Sequence, residues 1–312
     1  MPRPRRGSLK TAVIALLYEK WRRGEFADDV IRRADISKAM EEIGSTLSVG
    51  NLANFLKDLI RNNTIVENWP PELVQKRISA RQRYGEERVF QFFEHPPEWE
   101  TPFPDWHAPN DETPIYTIQS LSIDSVARNL GRDEETWLTQ IAVNLHLVQT
   151  QLSIFSPAAM RGRIRDVRHL QMSIKTQPEI DAAFVATYHK DKLPNSLQTV
   201  FVTLEAKRRN ERILLDQIRE QVAKAFEITN HLEDPPVDAV KPMALQVVRW
   251  PYQNRHEKMI FLVEFEHMER ARFDSDFDPV RYPLAIHEMH LEQVSCALYR
   301  AEPAIPPLGR TR

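Results

Sequence analysis

Glu205 and Lys207, two residues apart at the end of the apolar run Val200-Phe201-Val202-Thr203-Leu204, have the types and spacing that point most directly to chemistry. A β-strand alternates its side chains, so both project from one face and Ala206 from the other. Charges at the end of a buried strand are costly unless partnered. A second apolar run starts at Ile180-Asp181, and the stretch between the two runs, Lys190 to Gln198, holds the turn-forming Pro194-Asn195-Ser196. An antiparallel hairpin about that turn sets Asp181 opposite the span from Glu205 to Lys207. Two carboxylates and one ammonium then converge at one sheet edge. Hard carboxylate oxygens bind Mg²⁺, the cation contacts a phosphate and acidifies bound water, and a neighbouring lysine orients that water or stabilises the developing charge. The chemistry expected of such a trio is metal-assisted phosphodiester hydrolysis.

Pro178, Asp181 and Glu205-Ala206-Lys207 resemble the bipartite motif of the PD-(D/E)xK nuclease superfamily, over about residues 133 to 250. Glu179 and Ile180 separate the proline from the aspartate, a departure from the tight pattern; the aspartate and the ExK are what the chemistry requires. The resemblance implies a restriction-endonuclease-like αβββαβ core, Mg²⁺ held by Asp181 and Glu205, Lys207 beside the attacking water, and product ends bearing a 5′-phosphate. Similar families add a helix-borne glutamate and a glutamine after the ExK strand. Glu134 is the candidate for the first, as a further metal ligand, with Glu135 its neighbour. Gln217 and Gln221, one turn apart, are candidates for orienting a water or phosphate. All four also fit ordinary helix packing. Glu179 is a possible extra metal ligand, and Arg208, Arg209 and Arg212 would meet phosphates flanking the cut or lie solvated.

The elements that must position this trio read as a mixed α/β domain. Leu138, Ile141, Leu145, Val148 and Leu152 form a long helical stripe with Asp133 as its N-cap. Strands are expected at Val167 to Ile174, Ile180 to His189 and Thr199 to Lys207, then a helix from Ile213 to about Ile228. Two further strands follow at Val240 to Trp250 and Met259 to Glu266. Residues 95 to 115, rich in proline, aspartate and tryptophan, read as a linker, which divides the chain into residues 1–95, a connection over 96–132, and the candidate nuclease domain at 133–312.

The first part carries 17 Lys/Arg against 12 Asp/Glu up to residue 90, whereas the remainder is acidic, which suggests an anionic partner for the first part. A basic arm, MPRPRRGSLK, precedes a helix over Leu9 to Trp21. A short helix follows, capped by Asp35 and stopped by Gly44, and then a third helix from Ser48 with Leu52, Phe55, Leu56, Leu59 and Ile60 on its buried side. After a strand at Thr64 to Glu67 come a basic stretch from Lys76 to Arg83 and a strand from Arg88 to Phe93. This order resembles a winged-helix DNA-binding domain. Asn51, Asn54, Lys57 and Arg61 on the outer face of the third helix, with Arg81 and Arg83, are the candidate DNA contacts.

Composition removes other classes. Eight glycines in 312 residues and no GxGxxG or GxxxxGK[ST] leave no glycine-rich phosphate cradle. The single cysteine, Cys296, rules out an intrachain disulfide and a zinc knuckle. The longest apolar stretch, Ala12 to Tyr18, is too short to span a bilayer, and no signal-peptide pattern follows the N-terminal arginines, so a cytoplasmic protein is expected. His287-Glu288-Met289-His290 lacks the spacing of a zinc protease, and Asp274, Asp276 and Asp278 lack the glycine and closing glutamate of a calcium loop. The expected whole is a Mg²⁺-dependent, site-specific double-strand DNA endonuclease resembling type II restriction enzymes, acting as a homodimer because a duplex has two strands to cut. A modification-dependent or other defence-associated nuclease is the near alternative. A winged-helix regulator with a non-catalytic nuclease-like domain is the distant one.

Overall fold

The computed structural model describes residues 9–44, 52, 55–56, 69–83, 87–104, 107–130, 134–176, 178–190, 193–208, 211–277 and 285–305. The chain forms two compact units, Met1–Trp106 and His107–Arg312.

In the first unit, α1 (Leu9–Arg22) buries Val13, Ile14, Leu17 and Tyr18, a one-sided set at helical spacing. Next come β1 (Val30–Arg32), α2 (Arg33–Glu42), α3 (Pro71–Gln75), β2 (Ile78–Gln82) and β3 (Arg88–Glu94). The three strands form an antiparallel sheet in the order β1-β3-β2. Asp35 does not precede α2 as a cap but lies in its first turn, where its carboxylate accepts the Arg32 N–H at 2.9 Å. Gly44 follows α2 with φ +62°, the left-handed region that glycine reaches without strain. Phe92 of β3 packs with Phe90, Tyr18 and Trp69, and the Trp69 indole N–H donates to the Ile78 carbonyl at 3.0 Å. Of the helix expected from Ser48, Phe55 and Leu56 are described and buried. Asn51, Asn54, Lys57, Arg61 and the strand expected at Thr64 to Glu67 lie outside the described residues.

The second unit is a mixed α/β layer structure. Its elements are β4 (Ile115–Gln119), α4 (Glu135–Asn144), β5 (Ile164–Ile174), β6 (Ile180–Lys190), β7 (Leu193–Lys207), α5 (Leu215–Thr229), β8 (Ala239–Tyr252), β9 (Arg255–Phe265), β10 (Met268–Glu269) and β11 (Gln293–Glu302). Eight strands form one sheet in the order β4-β11-β9-β8-β7-β6-β5, with β10 added beside β8. Most neighbours are antiparallel; β7 with β8 and β4 with β11 are parallel. A parallel pair needs a long crossover, and between β7 and β8 that crossover is α5.

Both sheet faces are covered, which is why β6 to β9 read as nearly continuous apolar runs. Leu138 and Ile141 of α4 pack with Phe184, Val202, Leu204 and Leu245 on one face. Ile218, Val222 and Phe226 of α5 pack with Phe201, Val240 and Phe261 on the other. Fully burying each such side chain is worth about 1.5–3 kcal/mol.

Four expectations change. The stretch read as a connection over 96–132 contains β4, which joins the sheet through β11. The stripe from Leu138 to Leu152 is not one helix: His146 takes φ +53°, and the chain continues as a short helix Leu147–Thr150 and a wide turn Gln151–Phe155. Asp133 lies outside the described residues, and Glu134 occupies the N-cap position of α4. Finally, Lys190 pairs with Leu193, so Pro194-Asn195-Ser196 lie inside β7 rather than at the turn. The proline is tolerated because the register shifts between His189 and Lys190, from Leu197 to Leu193, so that residues 194–196 form a bulge outside the β6–β7 pairing. No described helix is long and apolar enough to cross a membrane.

Candidate active site

β6 and β7 run antiparallel with Ala182 opposite Leu204 and Ala183 opposite Thr203, so the start of β6 meets the end of β7. Both strands are apolar through their middles and polar at these ends, and the pairing gathers the polar ends at one place. Asp181 therefore stands beside Glu205, and its Oδ2 accepts the Ala206 N–H at 2.8 Å. Asp181, Glu205 and Lys207 share the sheet face covered by α5, because their strand neighbours Ala183, Thr203 and Phe201 lie on that side.

Lys207 donates to Glu205 Oε1, and both side chains are about 1% exposed. Gln217 Nε2 also donates to Oε1, and Gln221 Nε2 donates to Oε2. Gln221 Nε2 further reaches the Glu179 carbonyl at 2.8 Å, tying α5 to the segment just before Asp181. Glu205 is thus held on both oxygens by one ammonium and two amides.

Asp181 is treated differently. Burial above all, then the Glu205 carboxylate, push its carboxyl up to about 8 from an ordinary 3.8, and Glu135 adds a smaller push in the same direction. The Ala206 N–H and the Lys207 ammonium pull the other way without cancelling this. A carboxyl forced towards its neutral form by burial and then by a second carboxylate is a place where a cation relieves the strain. Two hard oxygen donors suit Mg²⁺, which binds through one or two carboxylates and keeps waters. Among the described residues no group of three or more His, Cys, Asp and Glu is placed to hold a metal.

No family model and no curated protein matches this chain.

The remaining candidates separate into those drawn to the trio and those turned from it. Gln217 and Gln221 are drawn to it, but they grip Glu205 and are themselves buried, so they position a carboxylate rather than a water or phosphate. Of the two glutamates at the start of α4, the charge of Glu135 is felt at Asp181, whereas Glu134 holds the N-cap position. The Glu179 carboxylate accepts from Ser173 and Lys175, partners on the β5 side of the hairpin. Arg208 is partly exposed and donates to Glu211 at 2.9 Å; Arg209 lies outside the described residues. In the first unit, the Arg81 guanidinium sits 4.4 Å from the centre of the Phe93 ring. Arg83 is buried and donates to Gln91 Oε1 at 2.7 and 3.1 Å, which removes it from the exposed contacts expected. His287 is buried and His290 exposed.

Proposed function

We propose that the protein is a Mg²⁺-dependent double-strand DNA endonuclease of the PD-(D/E)xK type. The observation that carries this reading is the Asp181 carboxyl, docked on the Ala206 N–H and raised to about 8 by burial above all and then by the Glu205 carboxylate beside it. Strained carboxylate pairs of this kind cluster where chemistry is done. The chain order of the second unit supports the same reading: a helix, three antiparallel strands, a helix, then a strand parallel to the last of the three.

On this reading Asp181 and Glu205 would hold the cation, which would supply charge neutralisation at the scissile phosphate and a more acidic water. Gln217 and Gln221 fix the rotation of the Glu205 carboxylate, so its orientation is set before any cation would bind. Lys207, on the same face, is the group whose ammonium would serve the attacking water and the charge developing on phosphate. The first unit, with helices α1, α2 and α3 and an antiparallel sheet in the order β1-β3-β2, suits a winged-helix reader of duplex DNA. Two copies would cut the two strands, and a reader of modified bases would make the enzyme modification-dependent.

Incubating the protein with unmodified and methylated phage DNA, in Mg²⁺ or EDTA, tests this. Discrete Mg²⁺-dependent fragments with 5′-phosphate ends are expected, lost in Asp181→Ala and Lys207→Ala while duplex affinity persists. Retained cleavage by either variant would remove the site. The rival is a regulator that binds DNA without cutting. It predicts tight binding and no fragments.

A further inference from the structure

Strand β5 forms one end of the large sheet and, among the described residues, pairs only with β6. Its approach and first half, Arg161-Gly-Arg-Ile-Arg-Asp-Val-Arg-His169, hold four arginines against one aspartate in a part of the chain that is otherwise acidic. Arg163 is turned inward, donating to the His189 carbonyl at 2.8 Å, and Arg161 donates to the Ile154 carbonyl at 2.8 Å. Arg165 and Arg168 remain exposed. Arg165 makes no ion pair or hydrogen bond among the described residues, while Arg168 pairs with the neighbouring Asp166, an exposed contact of the kind worth about 0–1 kcal/mol and easily exchanged.

The pairing register places these charges relative to the trio. Arg168 lies opposite Val185, and Val185 is on the same face of β6 as Asp181, four residues along the strand. Arg165 sits at a bulge next to Asp166, which lies opposite Thr187 on that face. α5 buries Phe201 and Thr203 of β7 here, but Val185 and Thr187 are only half-buried. Beside α5, then, the sheet carries an open basic shelf that leads to Asp181. Four residues of strand span about 13 Å, or about four phosphates along one strand of duplex DNA at 3.4 Å each.

We propose that this shelf, through Arg165 and Arg168, holds the backbone of duplex DNA on one side of the cut, fixing where the scissile phosphate falls relative to Asp181 and Glu205. The proposal rests on the nuclease reading and adds to it the path of the substrate. The arginines touch phosphates and no bases, so their contribution is independent of sequence and sensitive to salt.

The test is anisotropy of a fluorescein-labelled 30-base-pair duplex titrated with the full chain in EDTA, over a series of KCl concentrations. Each phosphate contact contributes a slope of about −0.9 to log affinity against log salt. Arg165→Ala/Arg168→Ala should therefore flatten the slope by about 1.8 and weaken binding at least about tenfold near physiological salt. Arg255→Ala/Arg272→Ala, which removes two exposed charges elsewhere, should leave the slope unchanged. Melting curves check that the variants are folded. An unchanged slope in the Arg165/Arg168 variant overturns the shelf, leaves these arginines to guard a sheet edge against pairing, and does not touch the nuclease reading. Failure of the unaltered protein to bind the duplex at any salt overturns both.

Discussion

Two buried lysine–glutamate pairs lie on opposite faces of the same sheet. Lys207 with Glu205 faces α5; Lys241 of β8, opposite Val202, pairs with Glu264 of β9 at 2.6 Å on the other face. By burial the two are nearly the same, at about 1% exposure or less for each side chain. Their surroundings differ. Glu264 also accepts from Ser156 and Ser295 at 2.6 Å each, and Lys241 reaches the Phe265 carbonyl at 3.4 Å. Ser295 accepts from Gln151, whose carbonyl takes the Tyr299 hydroxyl. That network balances one charge with one charge and closes on itself. The Glu205 pair has an extra negative group, Asp181, held by one backbone N–H and only partly buried. A buried ion pair is therefore no mark of function by itself; the surplus carboxylate is.

Breaking the pairs singly should separate them. Lys241→Met strands Glu264 in the core and should cost about 3–5 kcal/mol in urea unfolding, most of it recovered when Glu264→Leu is added, because removing both partners leaves no uncompensated charge. Lys207→Met should cost distinctly less stability, since Glu205 keeps two amide donors and Asp181 can hold a proton, while cleavage falls by a hundredfold or more, about 3 kcal/mol. Equal stability losses at the two lysines would erase the contrast.

Gln217→Met and Gln221→Met sharpen it. Each frees one oxygen of Glu205 and should weaken Mg²⁺ binding about tenfold, the size seen when partners of ligands are removed. Isothermal titration with Mg²⁺ reads this directly, and unchanged affinity would reduce both glutamines to packing.

The smallest effect has the opposite sign. Asp181→Asn should raise the melting temperature in EDTA by a few degrees, because a carboxyl with a raised pKa opposes folding whenever it must ionise. The folded carboxyl holds its proton up to about 8 and the unfolded one releases it near 3.8, so this group's contribution to stability is lost progressively as pH rises from about 4 to about 8. The gain from Asn should accordingly grow through that window and level off above it. A gain independent of pH would show that the strain at Asp181 is not electrostatic.

Much of the second unit was legible in residue patterns. The strands at Val167, Ile180, Thr199, Val240 and Met259 and the helix at Ile213 stand within a few residues of where periodicity put them, since two-sided burial leaves long apolar runs in the sequence. What escaped depends on partners distant in the chain. β4 reads as linker because its strand character comes from β11, nearly two hundred residues later. The break at His146 leaves no trace in a stripe that stays apolar on both sides of it. Arg83 looks like a phosphate contact until β2 pairs with β3 and sets Gln91 beside it.

Alternation along one strand was enough to place Glu205 and Lys207 on one side, and a hairpin was enough to bring Asp181 near them, because both follow from local backbone geometry. Tertiary structure alone decided that the hairpin turns before Pro194, that Ala206 offers its N–H to Asp181, and that Gln217 and Gln221 take hold of Glu205 rather than of a substrate. It also made the second lysine–glutamate pair a closed structural element. These outcomes depend on which side of the sheet each helix covers and on the sum of charges within a few ångströms, and neither quantity exists until the chain has folded.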